Sequence, residues 1–241
     1  EPGVVSCTIG TSGVVFAHTD KPAYDADGRV HTFCHAVPGA WHVMGVTQGA
    51  GLSLQWFRNQ LAPGAEYDAL TAEAATSAVC SQGLYWLPYL MGERTPHLDA
   101  YARGGWVGLT AKHTRADLIR ALIEGVSFSQ KDCLDIIEQM GVAVESVRVS
   151  GGGARSAFWR QMLADVFAKP VVTLETQEGS AYGAALLAMV GTRVYATVPE
   201  ACRAVVRETE RVESRSWEAQ QYARGHQVYK ALYPALKPIY G

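Results

Sequence analysis

The chain has 241 residues, 48% of them apolar and 18% charged, a composition that sustains a buried core and excludes a disordered chain. Its 21 basic and 23 acidic residues leave a formal charge of −2, which argues against a nucleic-acid partner held by phosphate contacts. No apolar run approaches the roughly 18 residues that cross a bilayer, so no membrane partner is expected, and the five cysteines are scattered with no CxxC pair, which speaks against a disulfide or zinc framework and fits a reducing cytoplasm.

The sequence does not begin with Met and enters a strand almost at once, which suggests the C-terminal part of a longer protein cut between domains. Val4 to Ile9 and Val14 to Phe16 flank Gly10-Thr11-Ser12-Gly13 as a hairpin. Turn signals at Asp27-Gly28 and Pro38-Gly39 set off strands from Val30 to Cys34 and from Trp41 to Val46, so the N-terminal part reads as an antiparallel meander. Leu52 to Leu61 reads as a largely buried helix ending before Pro63, and residues 66–80 as an Ala-rich helical stretch. A short strand follows from Leu84 to Tyr89, then a polar loop from Gly92 to Gly105. The clearest helix starts at Thr114, an N-cap with Asp117 three residues on; Leu118, Leu122, Val126, Cys133, Ile137 and Met140 recur at helical spacing until Gly141.

The period then changes. Val144, Val147 and Val149 form a strand running into Gly151-Gly152-Gly153, followed by a helix from Phe158 to Phe167 and a strand from Val171 to Leu174. Ser180 to Val190 is a helix of small residues able to pack close to a sheet, and helices near 198–206 and 215–233 close the chain. Strand, helix and strand in alternation make the C-terminal half α/β with a parallel component, and residues 1–241 read as one domain.

Three glycine-rich segments are candidate binding elements. In Gly10-Thr11-Ser12-Gly13 the glycines permit positive φ and close approach, and the two hydroxyls add donors; the segment is either a phosphate loop or a plain hairpin turn. Gly151-Gly152-Gly153-Ala154-Arg155-Ser156 lies beyond the end of a strand, where open α/β sheets take ligands. Ser156 stands where a dinucleotide fingerprint needs glycine, so that motif fails, and no GK[ST] loop exists. Thr47-Gln48-Gly49-Ala50-Gly51 opens a helix and offers free N–H groups, while Gln55 within that helix needs a partner if it is buried. Glu93 and Arg94 are read as loop-ordering residues, and His31 and His35 as structural or exposed.

Together these segments resemble the C-terminal domain of the FGGY carbohydrate kinases. The resemblance is carried by Ile9-Gly10-Thr11-Ser12-Gly13, by Gly49-Ala50-Gly51-Leu52-Ser53-Leu54-Gln55-Trp56, and by Pro88 to Pro96 (PYLMGERTP). It continues through Gly104-Gly105-Trp106-Val107-Gly108-Leu109, Gly151 to Ser156, and Gly179-Ser180-Ala181-Tyr182-Gly183-Ala184-Ala185, in family order.

The resemblance implies an actin-like ATPase fold, a ribonuclease-H-like α/β domain with a mixed sheet, an N-terminal antiparallel meander and flanking helices. It implies ATP and Mg²⁺, with Gly10, Thr11, Ser12 and Gly13 at the phosphates. Gly51, Gln55, Gly152, Gly153, Ala154, Ser156 and Ala157 would lie at the adenosine, Ala157 standing where glycerol-kinase relatives carry an adenine-contacting Asn. The catalytic base, an Asp, would lie just upstream of Glu1, and the sugar-binding domain and metal ligands outside this chain; Asp20, Asp25 and Asp27 do not match that base. The members it resembles most phosphorylate D-xylulose; glycerol, gluconate or ribulose are the alternative substrates, and a homodimer is left open. A non-enzymatic actin-like nucleotide switch, and a dehydrogenase using the Gly151 loop, are the competing readings.

Overall fold

Four strands open the chain: β1 (Gly3–Ile9), β2 (Gly13–Thr19), β3 (His31–Cys34) and β4 (Trp41–Thr47). Every second residue of β1, from Gly3 to Ile9, is buried, as a strand with one face on a core requires. The computed structural model describes residues 2–176 and 179–240, so Glu1 lies outside the described part.

Two helices follow, α1 (Gly51–Leu61) and α2 (Tyr67–Ala74), then a small hairpin of β5 (Tyr85–Leu87) and β6 (Gly105–Val107). The long helix α3 (Arg115–Gln139) starts with both halves of a capping box in place, Thr114 accepting from the Asp117 amide and Asp117 accepting from the Thr114 amide. Strand β7 (Val144–Ser150), helix α4 (Ala157–Phe167) and strand β8 (Val171–Leu174) form the parallel crossover. Helices α5 (Gly179–Gly191) and α6 (Val198–Val205), strand β9 (Glu208–Val212) and helix α7 (Ser216–Leu236) complete the chain.

The seven-stranded sheet has the order β3-β4-β2-β1-β7-β8-β9. β1, β7 and β8 run parallel to their neighbours in that trio, and the remaining pairs are antiparallel. The N-terminal four strands are all antiparallel, as expected, but their order is not sequential: β2 pairs with β4, and β3 takes the outer edge. Only β4 carries a full seven-residue register against β2, whereas β3 has four residues, two of them exposed, and suits an edge. The centre of the sheet is covered by α3, whose Leu122, Val126, Cys133 and Ile137 are completely buried.

Two sequence expectations change, and one strand is added that the sequence did not mark. The charged segment Glu208–Val212 is a strand, paired antiparallel with β8 at the sheet edge, where water solvates its side chains. Helix α5 does not lie tight on the sheet; its packing is against α6, and only Leu186 of its residues is buried. Helix α1 is buried on one side only, through Ser53, Leu54 and Phe57, with Leu61 49% exposed. Among the described residues no helix is long and apolar enough to cross a membrane, and the five cysteines are all free.

Candidate functional site

The β1–β2 turn, the start of α1 and the glycine triplet converge on one cavity of about 600 Å³. Gly10 and Thr11 line it from the turn, Gly51 and Gln55 from α1, and Gly152, Gly153 and Ser156 from beyond β7. The turn and the triplet lie more than 140 positions apart in sequence and are brought together because β1 and β7 pair side by side and in parallel.

The glycines serve different purposes. Neither Gly10 nor Gly13 has positive φ, contrary to the role the sequence suggested. Gly51 permits contact instead: its amide donates to the Gly10 carbonyl at 2.7 Å, and a Cβ there would stand 2.5 Å from that oxygen. The Leu52 amide donates to the Thr11 carbonyl at 3.1 Å, so the first N–H groups of α1 are spent on the turn and are not free for an anion. Gly10 also donates its own amide to the Ser12 carbonyl at 3.0 Å. The turn therefore offers hydroxyls more than an open row of amides, and the exposed Thr11 side chain lines the cavity.

In the triplet, Gly151 is needed for its φ of 85°, and Gly153 because a Cβ would lie 2.6 Å from Ile9 Cγ2. Gly152 has nothing within 4 Å of the place a Cβ would occupy, is exposed and lines the cavity. The fold gives no reason for glycine there; an approaching ligand does. Ser156 accepts from the Trp159 amide at 3.3 Å and so caps α4 as well as lining the cavity. Gln55 is exposed at the cavity and needs no partner within the core.

Ser12, Gly13, Ala154 and Ala157 are not on the cavity wall. Gly13 and Ala154 are buried, the first against Gln130 and Thr47. The wall that sequence reading missed comes from the start of α2: Glu66, its N-cap, and Tyr67, Asp68 and Thr71 line the same cavity. Tyr67 is held there by the Arg58 guanidinium, 4.8 Å from its ring centre. Nothing in an Ala-rich helical stretch marks these residues; only the packing of α2 against α3 and α4 reveals them.

The segment from Pro88 to Pro96 shapes the site from behind. A Cβ on Gly49 would overlap the Pro88 carbonyl oxygen. Glu93 Oε1 accepts from the amides of Gln48 at 2.9 Å and Arg94 at 2.7 Å, and Thr95 Oγ1 accepts from the Val46 amide at 3.1 Å. Glu93 thus orders the loop through backbone groups and not by pairing with Arg94. It is 3% exposed, its Oε2 has no partner, and burial pushes its carboxyl pKa up to about 8. The folded chain consequently keeps a proton there that the unfolded chain loses above the ordinary carboxylate range. Stability at this group falls as pH rises from about 4.5 to about 8. Glu93→Gln should remove that slope, so the Tm advantage of the variant over the parent should grow from pH 5 to pH 8 in calorimetric scans; a constant offset would contradict a neutral Glu93.

His35 is used structurally, its Nδ1 accepting from the Val37 amide at 3.0 Å, and His31 stacks on Phe33. Among the described residues no three His, Cys, Asp or Glu side chains are grouped to hold a metal ion.

Residues 5–192 match the family model described as the C-terminal domain of the FGGY family of carbohydrate kinases. The chain belongs to the FGGY carbohydrate kinases. It is 35% identical to a xylulose kinase of Bacillus subtilis over 98% of this chain and 48% of that protein. A ligand-bound xylulose kinase structure from Lactobacillus acidophilus superposes with a TM-score of 0.93 at 28% identity, over 99% of this chain and 48% of that one. A glycerol kinase of Plasmodium falciparum solved with ADP has a TM-score of 0.83 at 19% identity over 98% of this chain and 48% of that one, a likeness of fold. The chain spans about half the length of the relatives it matches. The fold is that of the actin-like ATPases, and membership of a carbohydrate-kinase family favours the kinase reading over the dehydrogenase reading of the Gly151 loop.

Proposed function

We propose that residues 1–241 form the ATP-binding half of a xylulokinase, which transfers the γ-phosphoryl group of ATP to D-xylulose to give ADP and D-xylulose 5-phosphate. A sugar-binding half, carrying the catalytic Asp, would complete the enzyme in the intact protein. The observation that carries this reading is the single cavity lined by Thr11, Gln55 and an otherwise unexplained Gly152. The xylulose-kinase relatives support the choice of sugar.

Adenosine would lie between the bare backbone of Gly152-Gly153 and the α1–α2 wall, its phosphates at the β1–β2 turn. Phosphoryl transfer is dominated by positioning and charge stabilisation. In this chain Thr11 donates to the phosphate oxygens and Gln55 orients the nucleotide. Among the described residues no acidic cluster stands at the turn to form a Mg²⁺ cage; Mg²⁺ would be held by the phosphates and by the other half. Free, partly buried cysteines agree with a cytoplasmic setting.

Gly152→Ala is the direct test. Its methyl group would project into open cavity, so Tm should hold while calorimetric titration shows ADP affinity falling about tenfold or more, the scale of a steric clash worth 1–3 kcal/mol. Unchanged ADP affinity would remove the nucleotide from this cavity. A panel of pentuloses, hexuloses and polyols, assayed with ATP on the intact protein, decides the sugar, with D-xylulose expected to give the highest kcat/KM.

A further inference from the structure

We propose that one turn of α3 positions both walls of the nucleotide cavity, through Gln130 on the phosphate side and Ser127 on the adenosine side; the proposal rests on the nucleotide reading above. The two residues are three apart, hence on neighbouring positions of one helix face, and both are completely buried. Buried polar groups need partners, and each of these finds its own in a different wall of the site.

Gln130 Nε2 donates to Thr47 Oγ1 at 2.7 Å. Thr47 closes β4 directly opposite Gly13, the first residue of β2. A Cβ on Gly13 would overlap Gln130 Nε2 and stand 2.6 Å from Thr47 Oγ1, so the glycine that ends the phosphate turn makes room for this bond. From Thr47 the chain runs four residues to Gly51, whose amide holds the Gly10 carbonyl. Gln130 therefore fixes the point from which the turn and the start of α1 are both hung. On the other side, Trp159 Nε1 donates to Ser127 Oγ at 3.1 Å, and the Ser127 hydroxyl donates to the Ile123 carbonyl at 2.8 Å. Trp159 lines the cavity beside the triplet and is 2% exposed. Neither Gln130 nor Ser127 lines the cavity, so both are positioning residues. A buried hydrogen bond adds little net stability over apolar groups of the same shape, but it sets distance and direction.

The test uses the intact kinase and three readouts: Tm, the Kd for ADP, and kcat with KM for ATP. In the double variant Thr47→Val with Gln130→Leu both partners become apolar, so Tm should return close to the parent value even where Gln130→Leu alone folds poorly. Its kcat should still fall on the order of 10- to 100-fold, the effect of displacing a reacting group by about 1 Å. Ser127→Ala should instead place the larger share of its effect in ADP Kd and in KM. Parental kcat in a double variant with restored Tm would overturn the proposal, as would the same division between kcat and Kd at both sites. A double variant that cannot fold would also overturn it, because the bond would then serve stability. Failure of the unsubstituted protein to bind ADP is a separate result; it overturns the nucleotide reading and this inference with it.

Discussion

Thr11→Val is expected to lower kcat/KM for ATP by roughly 30- to 1000-fold, with little change in Tm. The Thr11 side chain is exposed at the end of the cavity formed by the β1–β2 turn, so its exchange for an isosteric valine disturbs no core packing. Its backbone carbonyl, which accepts from the Leu52 amide at 3.1 Å, is unaffected by the exchange. What is lost is one hydroxyl donor facing the charge that builds on the transferring group. Loss of one such preorganised donor costs about 2–4 kcal/mol of transition-state stabilisation, which gives the stated range. The effect should fall mainly on kcat, because a donor aimed at developing charge contributes more in the transition state than in the bound substrate. Steady-state kinetics on the intact kinase measures it, and a change below threefold would remove Thr11 from the phosphate site. Thr11→Ser, which keeps the hydroxyl, should recover most of the activity.

Gly51→Ala is expected to reduce both Tm and activity. The added methyl would stand 2.5 Å from the Gly10 carbonyl oxygen, at the point where the Gly51 amide binds that same oxygen. Both groups are backbone, so no flexible side chain can yield. Forcing a methyl into such a contact costs about 1–3 kcal/mol in stability. The turn and α1 must separate, which carries Thr11 away from Gln55. A shift of about 1 Å in a reacting geometry is worth on the order of 10²-fold in rate. The two variants thus differ in signature: Thr11→Val leaves the fold intact and loses chemistry, whereas Gly51→Ala loses both. Thermal scans beside kinetics separate them. Full activity in Gly51→Ala would mean that contact between turn and helix is not required for turnover.

Much of the architecture is legible in the sequence because it is local. The capping pair Thr114 and Asp117 and the period of Leu118, Leu122 and Val126 specify α3 without help from elsewhere. The alternation in β1 and the turn residues between β1 and β2 specify the first hairpin. The glycine segments could be named in the same way, since glycine is costly in a chain and calls for a reason. The sequence does not say which reason applies. Gly151 is there for φ, Gly13 and Gly153 for packing, and Gly152 for open space, and those assignments depend on which atoms of remote residues stand nearby.

Tertiary structure alone decided the rest. The strand β9 is too charged to show a core-facing pattern and exists because the edge of β8 accepts it. The order of β3 and β4 was settled by competition for the free edge of β2, which a list of strands does not contain. The α2 wall of the cavity, with Tyr67 and Asp68, depends on how an unremarkable helix packs against α3 and α4. The bond from Gln130 to Thr47 crosses 83 positions of sequence. Periodicity and turn chemistry act over a few residues and so can be read from the order of amino acids. Which buried polar group meets which partner is fixed only when the sheet and α3 close on one another, because that closure removes the water each group would otherwise bind.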